Sequence, residues 1–246
     1  MCYISSSYDV RQTGWIGNRP GECNLNLFCD ADFAGDVCSQ KSTSGVHLAL
    51  HGSRTYFPLH GQSKKQTAVA FSTPEAELIA GLGGYQKTMI PALDMWDTIA
   101  PGMQTPMFHE DNQAMVMVVN SGKNPTMRHI GRVHRVSLAW LHERLGRHTG
   151  RDATILFYQT SENMSADIYT KAFKDKPGWQ QAQRLINIFA PSDLTPQRLL
   201  DWMLEREEMA NDPAEDVDNR AGWSKASKRR NGAKSAAAAV LWEIID

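Results

Sequence analysis

The chain is expected to be an α/β protein built on a five-stranded mixed sheet flanked by helices. Three observations predict it: period-two alternation at residues 25–30, two further apolar segments joined by a short polar link, and helical apolar spacing after residue 72. In Leu25-Asn26-Leu27-Phe28-Cys29-Asp30, the residues Leu25, Leu27 and Cys29 fall on one side of a strand and Phe28 and Asp30 on the other. Val46 to Leu50 and Arg54 to Leu59 are separated by His51-Gly52-Ser53, which has the length and chemistry of a hairpin connection. Three antiparallel strands follow from this. Ser72-Thr73-Pro74-Glu75 opens a helix, with either Ser72 or Thr73 as N-cap. Leu78, Leu82, Tyr85 and Met89 then repeat at helical spacing, and Glu77, Ala80, Gly81 and Gly84 form an adjoining face of small side chains on which backbone can approach closely.

Met107 to Asp111 reads as a fourth strand, and Asn112 to Asn120 as a helix closed by Ser121-Gly122. A helix over Ile130 to Leu145, a strand over Ala153 to Tyr158 and a helix over Asn163 to Phe173 complete the order βββαβααβα. The pattern changes beyond Pro177. Trp179 to Phe189 and Pro196 to Met209 are expected helices, giving a helical extension over 176–210. An acidic stretch from Glu205 to Asp218, the basic cluster Lys225, Lys228, Arg229, Arg230 and Lys234, and a run of alanines predict a partly disordered, mobile tail over 211–246.

With 246 residues, 41% hydrophobic and 22% charged, the chain can bury a sizeable core and is neither fibrous nor wholly disordered. No apolar run approaches the roughly 18 to 20 residues of a membrane span, and Met1 to Gly14 lacks the layout of a signal peptide. No membrane association is expected. Cys2, Cys23, Cys29 and Cys38 form no Cys-x-x-Cys pair, so they are read as reduced thiols of an intracellular protein. The location expected is the cytoplasm, with the basic tail a candidate nuclear-localisation signal. A net charge of −1 means that any nucleic-acid binding must come from local charge.

Four carboxylates occupy informative places: Asp30 at the end of the first strand, Glu77 early in the first long helix, Asp111 at the end of the fourth strand and Asp167 in the last helix. Strand ends and helix starts converge in α/β sheets, so these groups can meet. Clustered hard oxygen ligands select Mg²⁺ or Mn²⁺ over Zn²⁺. Taken singly, each has a structural explanation: a turn residue, a helix-surface charge, an N-cap before Asn112, and a first-turn acid. A basic interval lies between Asp111 and Asp152, where Lys123, Arg128, Arg132, Arg135, Arg144, Arg147 and Arg151 face the single acid Glu143. It suits phosphate contact that is independent of base sequence. His129, His134, His142 and His148 lack a cysteine partner beyond Cys38, which argues against zinc.

Several segments in order carry a resemblance to a known family. They are Leu27 to Asp36, Lys41-Ser42-Thr43-Ser44-Gly45, Ser63-Lys64-Lys65-Gln66-Thr67, Ser72 to Glu77, Glu110-Asp111-Asn112-Gln113-Ala114, Arg128-His129-Ile130 with His134, and Ala166-Asp167-Ile168-Tyr169-Thr170-Lys171-Ala172. Together they resemble the ribonuclease H domain of copia-type retrotransposon polyproteins, over about Asn24 to Phe173. The resemblance implies a ribonuclease H-like domain over 21–175. It also implies hydrolysis of the RNA strand of RNA–DNA hybrids with two Mg²⁺ ions, replaceable by Mn²⁺, and Asp30, Glu77, Asp111 and Asp167 as catalytic and metal residues, the ions bridged by Asp30. Asp32 and Glu75 become neighbours or caps. Substrate contacts are expected from Lys64, Lys65, Asn112, Gln113, Arg128, His129, Arg132, His134 and Arg135. The implied partners are the hybrid and the reverse-transcriptase body of the same element, with residues 1–20 as a remnant of the connection to it. The oligomeric state is left open.

The chain departs from the family pattern at Gly131 and Val133, where an aspartate and a tyrosine are usual, at Glu110, where a small residue or a cysteine is usual, and over Tyr158 to Glu162, which lacks a histidine. The rivals are a co-opted or inactive nucleic-acid-binding module and a DNA-cutting enzyme of the integrase group. The latter is disfavoured by the absence of an integrase-type zinc domain.

Overall fold

In the computed structural model, which describes residues 8–99, 105–146 and 154–210, two short strands precede the main sheet. They are β1 (Arg11–Gln12) and β2 (Trp15–Ile16). The alternating segment becomes β3 (Asn24–Asp32), and the two apolar segments lengthen into β4 (Thr43–Gly52) and β5 (Thr55–Lys65). These three pair antiparallel, as expected. The pairing of β4 with β5 shifts register between Leu48 and Ala49, beside Pro58, which has no N–H to give to a ladder.

The helix after Ser72 forms as α1 (Thr73–Gly84), continues through a five-residue π-helical turn (Tyr85–Met89) and ends as α2 (Ile90–Ile99). Ser72 is the N-cap, its hydroxyl accepting from Glu75 N at 3.4 Å. β6 (Met107–Glu110) follows, then α3 (Gln113–Ser121), whose N-cap is Asn112 and not Asp111; the Asn112 side chain accepts from Met115 N. Gly122 closes α3 at φ 65°, the left-handed conformation glycine adopts freely.

The single helix expected over Ile130 to Leu145 is two helices, α4 (Ile130–Val133) and α5 (Leu138–Leu145). Arg135 turns the chain at φ 57°, and the Ser137 hydroxyl caps α5 at Trp140 N, so a second start replaces continuation. β7 (Ile155–Tyr158) comes next, while Ala153 lies outside the described residues. The helix expected over Asn163 to Phe173 is replaced by two 3₁₀ turns, Ser161–Asn163 and Ser165–Tyr169, because extended Met164 interrupts them. α6 (Lys176–Leu185) starts at the Asp175 cap, earlier than expected. Asn187, at φ 61°, then turns the chain into β8 (Ile188–Phe189) instead of prolonging the helix. β8 pairs with β1. The first unit reaches Pro196, and a second contains the remainder of α7 (Pro196–Ala210). The charged tail over 211–246 lies outside the described residues.

The main sheet is mixed and six-stranded, in the order β2-β5-β4-β3-β6-β7, so the short β2 joins the five strands expected. β6 is parallel to both β3 and β7. Each connection from one parallel strand to the next passes through helices. On one face Leu25, Leu27, Cys29, Val46, Leu48 and Leu50 meet Leu78, Leu82, Tyr85, Met89 and Met115 in the principal core. On the other, Phe28 packs on Met164 and Ala166 and stacks on His109, their ring centroids 4.2 Å apart. His109 Nε2 lies 2.8 Å from Asn26 Oδ1 and its Nδ1 lies 3.1 Å from Gln159 Oε1, and burial pushes its pKa down to about 3. Among the described residues no helix is long and apolar enough to cross a membrane.

The small-residue face of α1 presses on the sheet. A Cβ on Gly84 would lie 2.6 Å from Cys29 Sγ, whereas one on Gly83 would meet nothing within 4 Å. Gly84→Ala is therefore expected to destabilise the protein by about 1 to 3 kcal/mol in urea unfolding, through overpacking. Gly83→Ala is expected to leave stability unchanged or raise it by up to about 1 kcal/mol, through helix propensity alone.

Candidate metal centre

Strand parity decides where the acidic side chains go. Asp30 shares the face of Asn26 and Phe28, and is covered by the Ser165–Tyr169 turn that carries Asp167. Glu110 shares the opposite face with Phe108, beneath α1, which carries Glu77. Asp111, just beyond the end of β6, stands between them. Oxygens of Asp30, Asp111 and Asp167 lie within 4.8 Å of one another, and so do oxygens of Glu77, Glu110 and Asp111. All four carboxylates expected from the sequence thus come together, astride the end of the sheet. The residue common to the two oxygen sets is Asp111. Glu110, noted in the sequence only as a departure, is a full member of the second set and completely buried.

Hydroxyls and amides hold this arrangement. Thr170 Oγ1 donates to Asp30 Oδ2, Ser161 Oγ donates to Asp111 Oδ2 at 2.7 Å, and Asn112 N donates to Glu110 Oε1 at 3.2 Å. Lys171 Nζ donates to Asp167 Oδ2 at 2.6 Å and lies 4.0 Å from Asp30 Oδ1. Neither Ser161 nor Lys171 was assigned a role from sequence. The only available signals were the spacing of Lys171 four residues after Asp167 and a serine in the loop that lacks a histidine.

Burial, followed by the charges of Glu110, Asp30 and Asp111, pushes Glu77 up to about 11. Burial and Asp30 raise Asp167 to about 7. Burial, then Asp111, holds Glu110 well above the usual range, and burial raises Asp30 despite the Thr170 bond. Glu77 Oε2, Glu110 Oε2 and Asp167 Oδ1 are buried and accept no hydrogen bond within the protein. Buried acceptors that are all oxygen and short of donors match the ligand set of a hard divalent cation.

The neighbouring acids have other tasks. Asp32 accepts from Thr43 N across the first hairpin. Glu75, 1% exposed, accepts from Phe71 N and from His129 Nε2, and lies 2.8 Å from His134 Nε2. His129 and His134, expected to contact substrate, are thus tied to Glu75, and this clasp fixes the segment bearing α4 to the start of α1. Asn112 caps α3 through its side chain. Lys64 is exposed, Lys65 pairs with Asp36, and Gln113, Arg128, Arg132 and Arg135 are exposed. Arg144 lies over the Trp140 ring. Arg147, His148 and Arg151 lie outside the described residues.

Two outcomes follow. Asp167 and Glu77 keep protons in the metal-free fold that the unfolded chain gives up above its ordinary carboxylate range, so their contribution to stability falls as pH rises through about 7. The Tm of the metal-free protein should therefore drop from pH 5 to pH 8, and the rise in Tm on adding Mg²⁺ should be larger at pH 8. An equal Mg²⁺ effect at both values would contradict this electrostatic picture. Glu75→Ala should cost about 1 to 3 kcal/mol by stranding partners of a buried carboxylate. It should also speed amide exchange over Ile130–Val133 while leaving the Mg²⁺ response intact.

No protein-family model matches the chain. A stretch of 62 residues, 25% of the chain, is 44% identical to the secreted RxLR effector protein 161 of Plasmopara viticola. The match spans 41% of that protein, so the chain covers less than half the length of this curated relative.

Proposed function

We propose that the chain is a divalent-metal-dependent nuclease with a ribonuclease H-like fold that hydrolyses the RNA strand of RNA–DNA hybrids. The observation that carries this reading is the convergence of Asp30, Glu77, Asp111 and Asp167, each from a different element, with Asp111 common to two oxygen sets. The sheet order, three antiparallel strands continued by two parallel ones, supports the same reading. So does the family resemblance of the sequence segments that deliver these carboxylates.

The first set would hold one Mg²⁺ through Asp30, Asp111 and Asp167, and the second another through Glu77, Glu110 and Asp111. Ions held in this way supply an activated water and stabilise the departing oxygen of a phosphodiester. The chain's own part is positional: Thr170 and Ser161 fix the Asp30 and Asp111 oxygens, and Asn112 N fixes Glu110. Exposed Lys64, Arg128, Arg132 and Arg135 offer charge to a nucleic-acid backbone, which favours a polyanionic substrate without base specificity.

The departures from the resembled family at Glu110 and Gly131 favour a second reading, a co-opted copy that binds without turnover. One assay separates the two. The purified chain should cleave a labelled RNA–DNA hybrid in Mg²⁺ or Mn²⁺, and Asp111→Asn should lower the rate at least 100-fold, on the order of the loss expected when a group central to charge stabilisation is removed. Equal rates for both proteins would sink the nuclease reading. Retention of hybrid by wild type without any cleavage would select the binding module.

A further inference from the structure

The two halves of the acidic site are built differently. The half formed by Glu77 and Glu110 is buried, both residues carry an oxygen with no protein donor, and among the described residues no lysine or arginine pairs with either. The half formed by Asp30 and Asp167 already contains a cation. Lys171 Nζ sits 2.6 Å from Asp167 Oδ2 and 4.0 Å from Asp30 Oδ1, and its backbone N donates to Asp167 O at 2.9 Å, which fixes it one turn after the aspartate. Thr170, next to Lys171 in sequence, donates its hydroxyl to Asp30 Oδ2. The Lys171 side chain is 42% exposed, so its ammonium can leave for water without disturbing the core.

We infer that Lys171 is the resident counter-ion of the Asp30–Asp167 pair, displaced when a divalent cation binds, and that it thereby sets the metal affinity of this half. The inference rests on the metal-centre reading given above. A monovalent charge about 4 Å from a carboxylate competes directly with a divalent ion for the same oxygens and repels it once bound, because like charges in a partly buried site are weakly screened. Removing the ammonium takes away both effects. It also leaves Asp30 and Asp167 facing each other without a neighbouring cation, so the metal-free protein is weakened while the metal-bound one is not. An ordinary surface ion pair contributes little to stability and has no reason to affect metal binding. Lys171 is thus a positioning residue, distinct from the ligands.

The test uses Mn²⁺ as the probe, its free ion counted by the EPR signal, with Lys171→Met, Lys171→Arg and wild type as the whole 246-residue chain. Lys171→Met is expected to bind Mn²⁺ at least fivefold more tightly and to melt at lower temperature in EDTA, with the deficit removed by saturating Mn²⁺. Lys171→Arg, which keeps the charge, is expected to return both properties toward wild type. If Lys171→Met is too unstable in EDTA to titrate, it is loaded with Mn²⁺ and stripped with a graded chelator, where it should retain the ion at higher chelator than wild type. An unchanged or weaker constant in Lys171→Met, with Mn²⁺ bound to wild type, overturns the counter-ion role alone. No Mn²⁺ bound by either protein overturns this role together with the metal-centre reading.

Discussion

Repulsion among carboxylates brought to one end of a sheet is the constraint on which the rest of this structure depends. Asp30, Glu77, Glu110, Asp111 and Asp167 cannot all be ionised side by side in a buried place unless cations or protons intervene. The fold accommodates them by dividing the load across the sheet plane: Asp30 and Asp167 lie on one face, Glu77 and Glu110 on the other, and Asp111 at the strand end touches both sets. Hydroxyl and amide donors steady three of these groups, a lysine steadies another, and Glu77 and Glu110 each keep an oxygen that accepts no hydrogen bond within the protein.

The two faces that support this division are themselves unlike. The helix side is an aliphatic and aromatic core in which Leu25, Leu27, Leu78 and Met89 exclude water, so a carboxylate placed there loses most of its hydration. The opposite side is laid down by short 3₁₀ turns over Phe28 and by side-chain bonds from His47 and His109. Tyr56 reaches from β5 to Leu185 O, which fastens α6 to the same side. A tight turn suits this role because β4 and the turn approach closely: a Cβ on Gly45 would lie 2.8 Å from Ala166 O. Backbone proximity there holds Asp167 over Asp30.

Much of this was legible in the sequence. Period-two alternation gave β3 its faces, helical spacing picked out Leu78, Leu82, Tyr85 and Met89, and the small residues of α1 marked the close contact with the sheet. The ordered motifs pointed to the four carboxylates that meet. What escaped was set by tertiary geometry rather than by local pattern. Arg135 and Asn187 adopt left-handed backbone that no glycine announces, so the helical pattern of the sequence continues through the first and past the second. The approach of His129 and His134 to Glu75, more than fifty residues away in sequence, has no local signal in the basic stretch that carries them. Glu110 changes from an oddity to a site member only because strand parity turns it toward Glu77.

The pairing of β1 with β8 carries a mechanical meaning. Arg11 lies opposite Phe189 in a ladder only two residues long, so the chain enters and leaves this part of the fold at adjacent points. Tension applied from outside these two strands would unzip that ladder one bond at a time. The load would pass next to the equally short pairing of β2 with β5, and only then to the long β4 and β3 ladders. A ladder this short would yield under such tension before the strand ends that hold the carboxylates are disturbed.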